Sequence, residues 1–241
     1  MMENEQTRDI VLIHGGSHGA WCWDGVKREL ENLGWQGHAL DLPGVGDDPT
    51  PRKSVTLENS LLAVNNFIRQ QDLNDFILVG HSLAGILLPE VIAANREKVR
   101  KAVYVAAFIL AEGERAIDLV NPERRPDYYR LADESSERSL MLPYNVVRER
   151  FFNDLSEEDA RTAYSRLTPQ PLAPYLQPAV RGAAEFASLS SYIICQQDQN
   201  LPRSLCMTYA QKLGGQTEVI DAGHDVMLSK PKELAAMLTR V

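Results

Sequence analysis

Six short runs of β-branched and aliphatic residues recur along the chain: "DIVLIHGG", "WQGHALDLPG", "DFILVGHS", "RKAVYVAAF", "SSYIICQQD" and "QTEVIDAGH". Each is too short for a typical helix and half of them end at glycine or aspartate, so each reads as a strand. Between them the apolar period becomes helical. In "WDGVKRELENLG", Val26, Leu30 and Leu33 fall on one face, and Gly34 sits where a helix ends in a left-handed residue. In "LENSLLAVNNFIRQQ", Leu61, Val64, Phe67 and Ile68 form the apolar side. Strand then helix, repeated, predicts an α/β fold: about six mainly parallel strands with helices on both faces, and ligands at the carboxyl ends of the strands.

The alternation stops between residues 108 and 187. There "EGERAIDLVNPERRPDYYRLADESSERS" is charged, punctuated by proline and without a strand pattern. "DLSEEDARTAYSRLTP" opens on a capping box from Ser156 to Asp159, and its helix must end before Pro169. The expectation is a single domain over residues 1–241, with residues 108–187 inserted between core strands as a helical lid.

One strand pattern ends on a residue that packing does not explain. In "LVGHSLAGIL", Ser82 follows an apolar strand and precedes the helical pattern "ILLPEVIAAN". Gly80 and Ala84 occupy the small positions of G-x-S-x-G; alanine replaces the second glycine, and Gly85 follows at once. This is the setting of a nucleophile elbow, a tight strand-to-helix turn that exposes a serine hydroxyl. Such a serine needs a base, and the base needs an anion to fix its tautomer. Among the histidines, His81 should point away from its neighbour, His38 lies mid-strand, and His14 and His18 belong to an early loop. His224, just after the last strand pattern, is the expected base, and Asp198, at the end of "SSYIICQQD", the expected acid. Glu112 and Glu114 are rival acids. Asp221 and Asp225 are too near His224 in sequence to reach its ring, and Asp225 is expected to face solvent. The glycine-rich "LIHGGSHGAWCW" offers the Gly16 N–H, and the elbow the Leu83 N–H, as an oxyanion hole. Trp21 and Trp23 are expected to pack beneath that loop.

Composition removes other classes. Twenty-five Lys and Arg stand against 33 Asp and Glu, a net charge of -8, with no basic stripe to attract nucleic acid or anionic lipid. The start, "MMENEQTRDI", lacks the basic-then-apolar pattern of a secretion signal, and "AVYVAAFILA" is too short to span a bilayer. A soluble cytoplasmic protein is expected. Cys22, Cys195 and Cys206 have no paired spacing and read as reduced structural thiols, a cysteine nucleophile being the weaker alternative. No ligand spacing such as H-x-x-x-H on one helix face suggests a metal, so neither metal nor cofactor is expected.

Taken together, "HGGSHGAWCWDGVKRELENLGWQGHALDLPG", "LVGHSLAG", "CQQDQNLP" and "AGHDVMLSKP" resemble the α/β-hydrolase branch that holds plant methylesterases, the salicylate-binding methyl salicylate esterase, polyneuridine aldehyde esterase, hydroxynitrile lyases and bacterial relatives. The resemblance runs over nearly the whole chain and is weakest in the lid. It implies the α/β-hydrolase fold and a Ser82, Asp198, His224 triad. The lyases of this branch carry a threonine and a lysine where this chain has Gly15 and Asp225, which points to an esterase. The lid lacks the tryptophan of the plant members and offers Tyr128, Tyr129, Phe151 and Phe152. The expected activity is cofactor-free hydrolysis of a small carboxylic ester through an acyl-enzyme on Ser82. Phe108, Tyr128, Phe151 and Phe152 are the expected substrate-binding residues, with Leu110 and Leu176 further candidates. The expected partner is the small-molecule ester, not nucleic acid or membrane, with a homodimer left open. The alternatives are a slow or non-catalytic ligand-binding protein on the same fold, and a lactonase or acyltransferase using the same serine.

Overall fold

The computed structural model describes residues 8–241. The expectation drawn from "MMENEQT" therefore lies outside the described residues. Among the described residues, no helix is long and apolar enough to cross a membrane.

The six strand patterns all become strands of one sheet: β1 (Asp9–Ile13), β2 (Gln36–Ala39), β3 (Phe76–His81), β4 (Val99–Val105), β7 (Ser190–Cys195) and β8 (Gln216–Ile220). Their order is β2-β1-β3-β4-β7-β8, and every pairing is parallel. The central strands are nearly unbroken apolar runs because both faces of the sheet are covered. Phe76 and Leu78 of β3 join one core with Val64 and Ile68 of helix Leu57–Gln70. Ile77 and Val79 point the other way, into a second core with Val26 and Leu30 of helix Asp24–Asn32 and Leu234 and Leu238 of helix Pro231–Leu238. Gly34 has the left-handed φ of +76° expected of it, but Leu33 is 46% exposed rather than on the buried face. It caps the helix instead of continuing it, so its side chain has turned off the stripe.

Between β4 and β7 lie helices Ala116–Leu119, Arg125–Glu134, Tyr144–Arg150, Glu157–Arg166 and Ala173–Leu176. Ser156 Oγ accepts a hydrogen bond from the Asp159 N–H (3.1 Å) and caps helix Glu157–Arg166. One expectation needs correction: the insertion is not free of strand, since β5 (Ser139–Leu140) and β6 (Gln170–Pro171) pair antiparallel. Two residues with a proline among them carry no period-2 pattern for a sequence to reveal.

After β1 the chain moves outward to β2, then crosses back to form β3 on the other side of β1. This reversal opens a crevice at the carboxyl ends of β1 and β3, where the early glycine loop and Ser82 both emerge. A Cβ built on Gly85 would stand 2.3 Å from the Phe108 carbonyl oxygen, a backbone segment itself tied to the elbow by Phe108 N–H donating to Ser82 O (3.1 Å). Gly85→Ala is expected to destabilise the protein by about 1–3 kcal/mol through overpacking. Urea unfolding would read this as a lower midpoint at unchanged slope, and an unchanged midpoint would contradict the packing.

Candidate active site

Ser82 opens a short 3-10 helix (Ser82–Ile86) directly after β3 and holds a left-handed φ of +52°. A non-glycine residue keeps that conformation only where its surroundings enforce it. Gly80 leaves space that the Leu88 side chain fills, since a Cβ there would stand 2.4 Å from Leu88 Cδ1. Ser82 is only 7% exposed, yet its hydroxyl reaches His224 Nε2 at 3.0 Å. Across the same ring, His224 Nδ1 donates to Asp198 Oδ2 at 2.7 Å. That bond leaves Nε2 as the nitrogen able to accept the serine proton. The second oxygen of Asp198 accepts the N–H groups of Asn200 (2.7 Å) and Leu201 (2.8 Å), which fixes the carboxylate at the end of β7. The structure thus brings together the three residues singled out from sequence. Of the rivals, Glu114 is engaged by Lys212 and the Ala111 N–H, and Asp221 accepts from Gln197.

The other histidines have structural partners. His38 Nε2 donates to Asp9 on the neighbouring strand. His14 donates from Nδ1 to Gly15 O and accepts the Leu42 N–H at Nε2, and burial is the main reason its pKa falls to about 4. His81 points away from the serine hydroxyl and donates from Nε2 to the carbonyl of His224 (3.0 Å), holding the base's own backbone. Burial first, and His224 second, push His81 well below the usual histidine range.

Asp225 does not face solvent. It is fully buried, and its Oδ2 receives His18 Nε2 at 2.6 Å, while His18 Nδ1 lies 2.8 Å from the carbonyl oxygen of Gly16. Both ring nitrogens of His18 thus face an acceptor oxygen. Asp225, following the base in sequence, thereby fixes the loop that carries Gly16. Sequence order hid this, because His18 and Asp225 lie more than 200 residues apart and neither sits in a recognisable motif. The insertion reinforces the same corner. Asp154 accepts the Gly223 N–H (2.6 Å), Asn153 donates to Gln197 O (3.0 Å), and Asp225 N–H donates to Phe151 O (3.3 Å).

These charges set the base's proton affinity. Burial pushes His224 down, but Asp198 through charge and hydrogen bond, then Asp225 and Asp154, outweigh it and leave the pKa raised. Burial likewise pushes the Asp225 carboxyl up, and the contact with His18, with His81 and His224 behind it, brings it below its ordinary value. His81, His224 and Asp225 also offer ligand atoms within 4.8 Å of one another, a grouping that could hold a metal ion. Both His224 nitrogens, however, are already committed to Ser82 and Asp198.

The early loop faces the elbow. A Cβ on Gly16 would stand 3.2 Å from the Tyr175 hydroxyl and 3.6 Å from Leu83 Cδ2. Ser17, at φ +66°, turns the loop and donates its N–H to Gln170 Oε1 (2.9 Å). Leu83 lies in the first turn of its helix, where an N–H has no acceptor within the helix. Trp23 is buried beneath the loop, and Trp21 stacks on His18 with Arg166 over its ring.

A cavity of about 380 Å³ opens over Ser82 and His224, lined by Gly16, Phe108, Tyr128 and Phe151 among others. Phe152 is not among its lining residues. It is fully buried behind Phe151, against which it packs edge to face, and Leu110 and Leu176 are likewise absent from the wall. Sequence reasoning missed Tyr175, Asn200 and Arg124, which do line it. The three cysteines are free and buried, and burial raises all three thiols, Cys206 to about 12, which removes the cysteine-nucleophile alternative.

Asp225→Asn removes one of the charges that hold the proton on His224. The acidic limb of kcat/KM, where the base becomes protonated and inactive, should therefore move to lower pH. Loss of the buried pair with His18 should also destabilise the fold by roughly 3 kcal/mol. A pH–rate profile with an unmoved acidic limb would contradict the assigned electrostatics.

The sequence pattern of the alpha/beta hydrolase family matches residues 10–237. The chain is 29% identical over 240 residues to the carbendazim hydrolyzing esterase of Nocardioides sp. (strain SG-4G), covering 95% of this chain and 98% of that one. It is 27% identical over 269 residues to methylesterase 3 of Arabidopsis thaliana, covering 100% and 98%. It spans only 58% of the length of the putative chloroplastic methylesterase 15 of the same plant, to which it is 24% identical. Among solved structures, it superposes with a TM-score of 0.88 on an extracellular alpha/beta-hydrolase from a Paenibacillus species described as sharing structural and functional homology with tobacco salicylic acid binding protein 2. That pair is 27% identical over 96% of this chain and 98% of the other. With the family pattern spanning nearly the whole chain, this protein belongs to the alpha/beta hydrolase family.

Proposed function

We propose that the protein is a carboxylic ester hydrolase that works through an acyl-enzyme on Ser82. The observation that carries this reading is the unbroken relay from Ser82 Oγ to His224 Nε2 (3.0 Å) and from His224 Nδ1 to Asp198 (2.7 Å), opening onto the cavity. The esterase names of its relatives support it.

In this reading His224 takes the Ser82 proton as Oγ attacks the ester carbonyl carbon. The electrons displaced onto the carbonyl oxygen are held by the Gly16 and Leu83 N–H groups. His224 then returns the proton to the departing alkoxide, which leaves as alcohol. Water enters, loses a proton to His224 and attacks the acyl carbon, releasing a carboxylic acid and regenerating Ser82. Asp198 stabilises the imidazolium at both stages without taking the proton. The insertion acts as a lid whose residues shape the pocket, with Phe108, Tyr128 and Phe151 touching substrate and Phe152 supporting Phe151 from behind. The partner is a small ester; the acidic net charge disfavours nucleic acid and anionic membrane. A cytoplasmic location rests on the three unpaired thiols, against which stands one extracellular neighbour.

Ser82→Ala should keep the fold and lower kcat on 4-nitrophenyl acetate by more than about 10⁴-fold. Spectrophotometric turnover beside circular dichroism checks both. Retention of activity would refute the scheme, and absence of turnover in the wild type would favour the ligand-binding alternative.

A further inference from the structure

Among the described residues, the cavity over Ser82 has a single side chain of fixed charge in its wall, Arg124, and no carboxylate. This is unexpected in a chain of net charge -8. Arg124 precedes helix Arg125–Glu134, one turn before Tyr128, which shares the cavity wall. Arg150 closes helix Tyr144–Arg150 across from it. Every other arginine of the insertion makes a hydrogen bond or ion pair to the protein. Neither Arg124 nor Arg150 has such a bond to any described residue, although both are half-buried. Partial burial first, and the charge of Arg124 second, lower the Arg150 pKa, so the two guanidinium groups feel each other. Asp127, whose charge reaches Arg150, is engaged by Arg130, and Glu149 is exposed. Two neighbouring cations that no carboxylate pairs with directly repel each other, and a bound anion removes that cost.

The arginines are also connected to the catalytic end. Tyr128, in the cavity wall, lies in the field of both Arg150 and Arg124. The Tyr128 and Tyr175 rings meet edge to face at 5.3 Å, and the Tyr175 hydroxyl lies beside Gly16. Tyr175 and Tyr128 thus stand between the glycine loop and Arg124 in the cavity wall.

We propose that the natural ester carries a second, free carboxylate, which Arg124 grips with Arg150 behind it while the ester carbonyl sits at Ser82. The substrate class is a half-ester of a dicarboxylic acid, or an ester of comparable shape with one anionic end. The guanidinium fork matches a carboxylate in two parallel hydrogen bonds, and the low-dielectric pocket strengthens them. The inference rests on the esterase reading above and names its substrate class.

The test compares monoethyl glutarate, adipate and suberate with neutral ethyl esters of matched chain length, by ethanol release, in wild type, Arg124→Gln, Arg150→Gln and the surface control Arg240→Gln, whose ion pair with Glu218 lies outside the cavity wall. In the wild type at least one half-ester should exceed its neutral match in kcat/KM by ~10-fold or more, the size of one charge-assisted hydrogen bond. That ratio should fall toward one in Arg124→Gln, fall partly in Arg150→Gln, shrink with added salt, and persist in Arg240→Gln. A wild-type ratio at or below one at every length, or a preference retained in Arg124→Gln, would overturn the proposal. Turnover of 4-nitrophenyl acetate by the same preparation separates the two readings: its presence leaves the esterase intact whatever the half-esters do, and its absence overturns both.

Discussion

The left-handed turn at Ser82 is the constraint around which the rest of the molecule is arranged. A serine at φ +52° costs on the order of 1–3 kcal/mol, which neighbouring structure must offset. The offset comes from the middle of the sheet. β3 is buried on both faces, Leu88 fills the space beside Gly80, and the backbone of Phe108 presses on Gly85. Because β1 lies next to β3, the glycine loop after β1 emerges beside the same serine, and a Cβ on Gly15 would stand 2.9 Å from Ser82 Cβ. The strand order, the small residues and a serine hydroxyl held at the cavity are therefore one solution to one steric problem.

Electrostatics impose a second order on the same corner. Two buried aspartates lie near His224, and their surroundings give them different work. Asp198 has two backbone N–H donors on one oxygen and the imidazole on the other. Asp225 is held by His18, so its charge acts on His224 through space without competing for Nδ1. A histidine as deeply buried as this one would ordinarily lose its affinity for a proton, as His81 does. The two carboxylates reverse that for His224 alone, and the Phe151–Asp154 stretch of the insertion pins the loops that carry them.

What could be read in the chain follows from the range of each interaction. The six strands, Gly34, the Ser156 cap and the Ser82, Asp198, His224 order all depend on local periods or on chain order at strand ends, and these a linear sequence displays. The His18–Asp225 pair, the arginines at the cavity and the place of Phe152 behind Phe151 depend on contacts between distant segments, where adjacency carries no information. Leu33 failed for a nearer reason: the pattern counted it on the helix face, but the chain had already turned toward Gly34. Aromatic residues in the insertion were recognised as a group, yet which of them faces substrate depends on packing that a mostly helical, irregular segment does not encode periodically.

On the proposed esterase reading, the same geometry bears on why the site is suited to hydrolysis rather than to cyanohydrin cleavage. The lyases that the sequence resembles place a threonine and a lysine at the positions of Gly15 and Asp225. Here a Cβ at position 15 would already stand 2.8 Å from His81 Nδ1, so a branched hydroxyl side chain has no room unless the elbow moves. At position 225 the buried charge is negative and its Oδ2 is taken up by His18. An anionic leaving group such as cyanide would therefore meet a carboxylate where the lyases offer an ammonium. An ester asks for neither group: in the proposed reaction its leaving alkoxide takes its proton from His224, and the carboxylates that raise the proton affinity of His224 are the ones that would let it hold that proton between the two halves of the reaction.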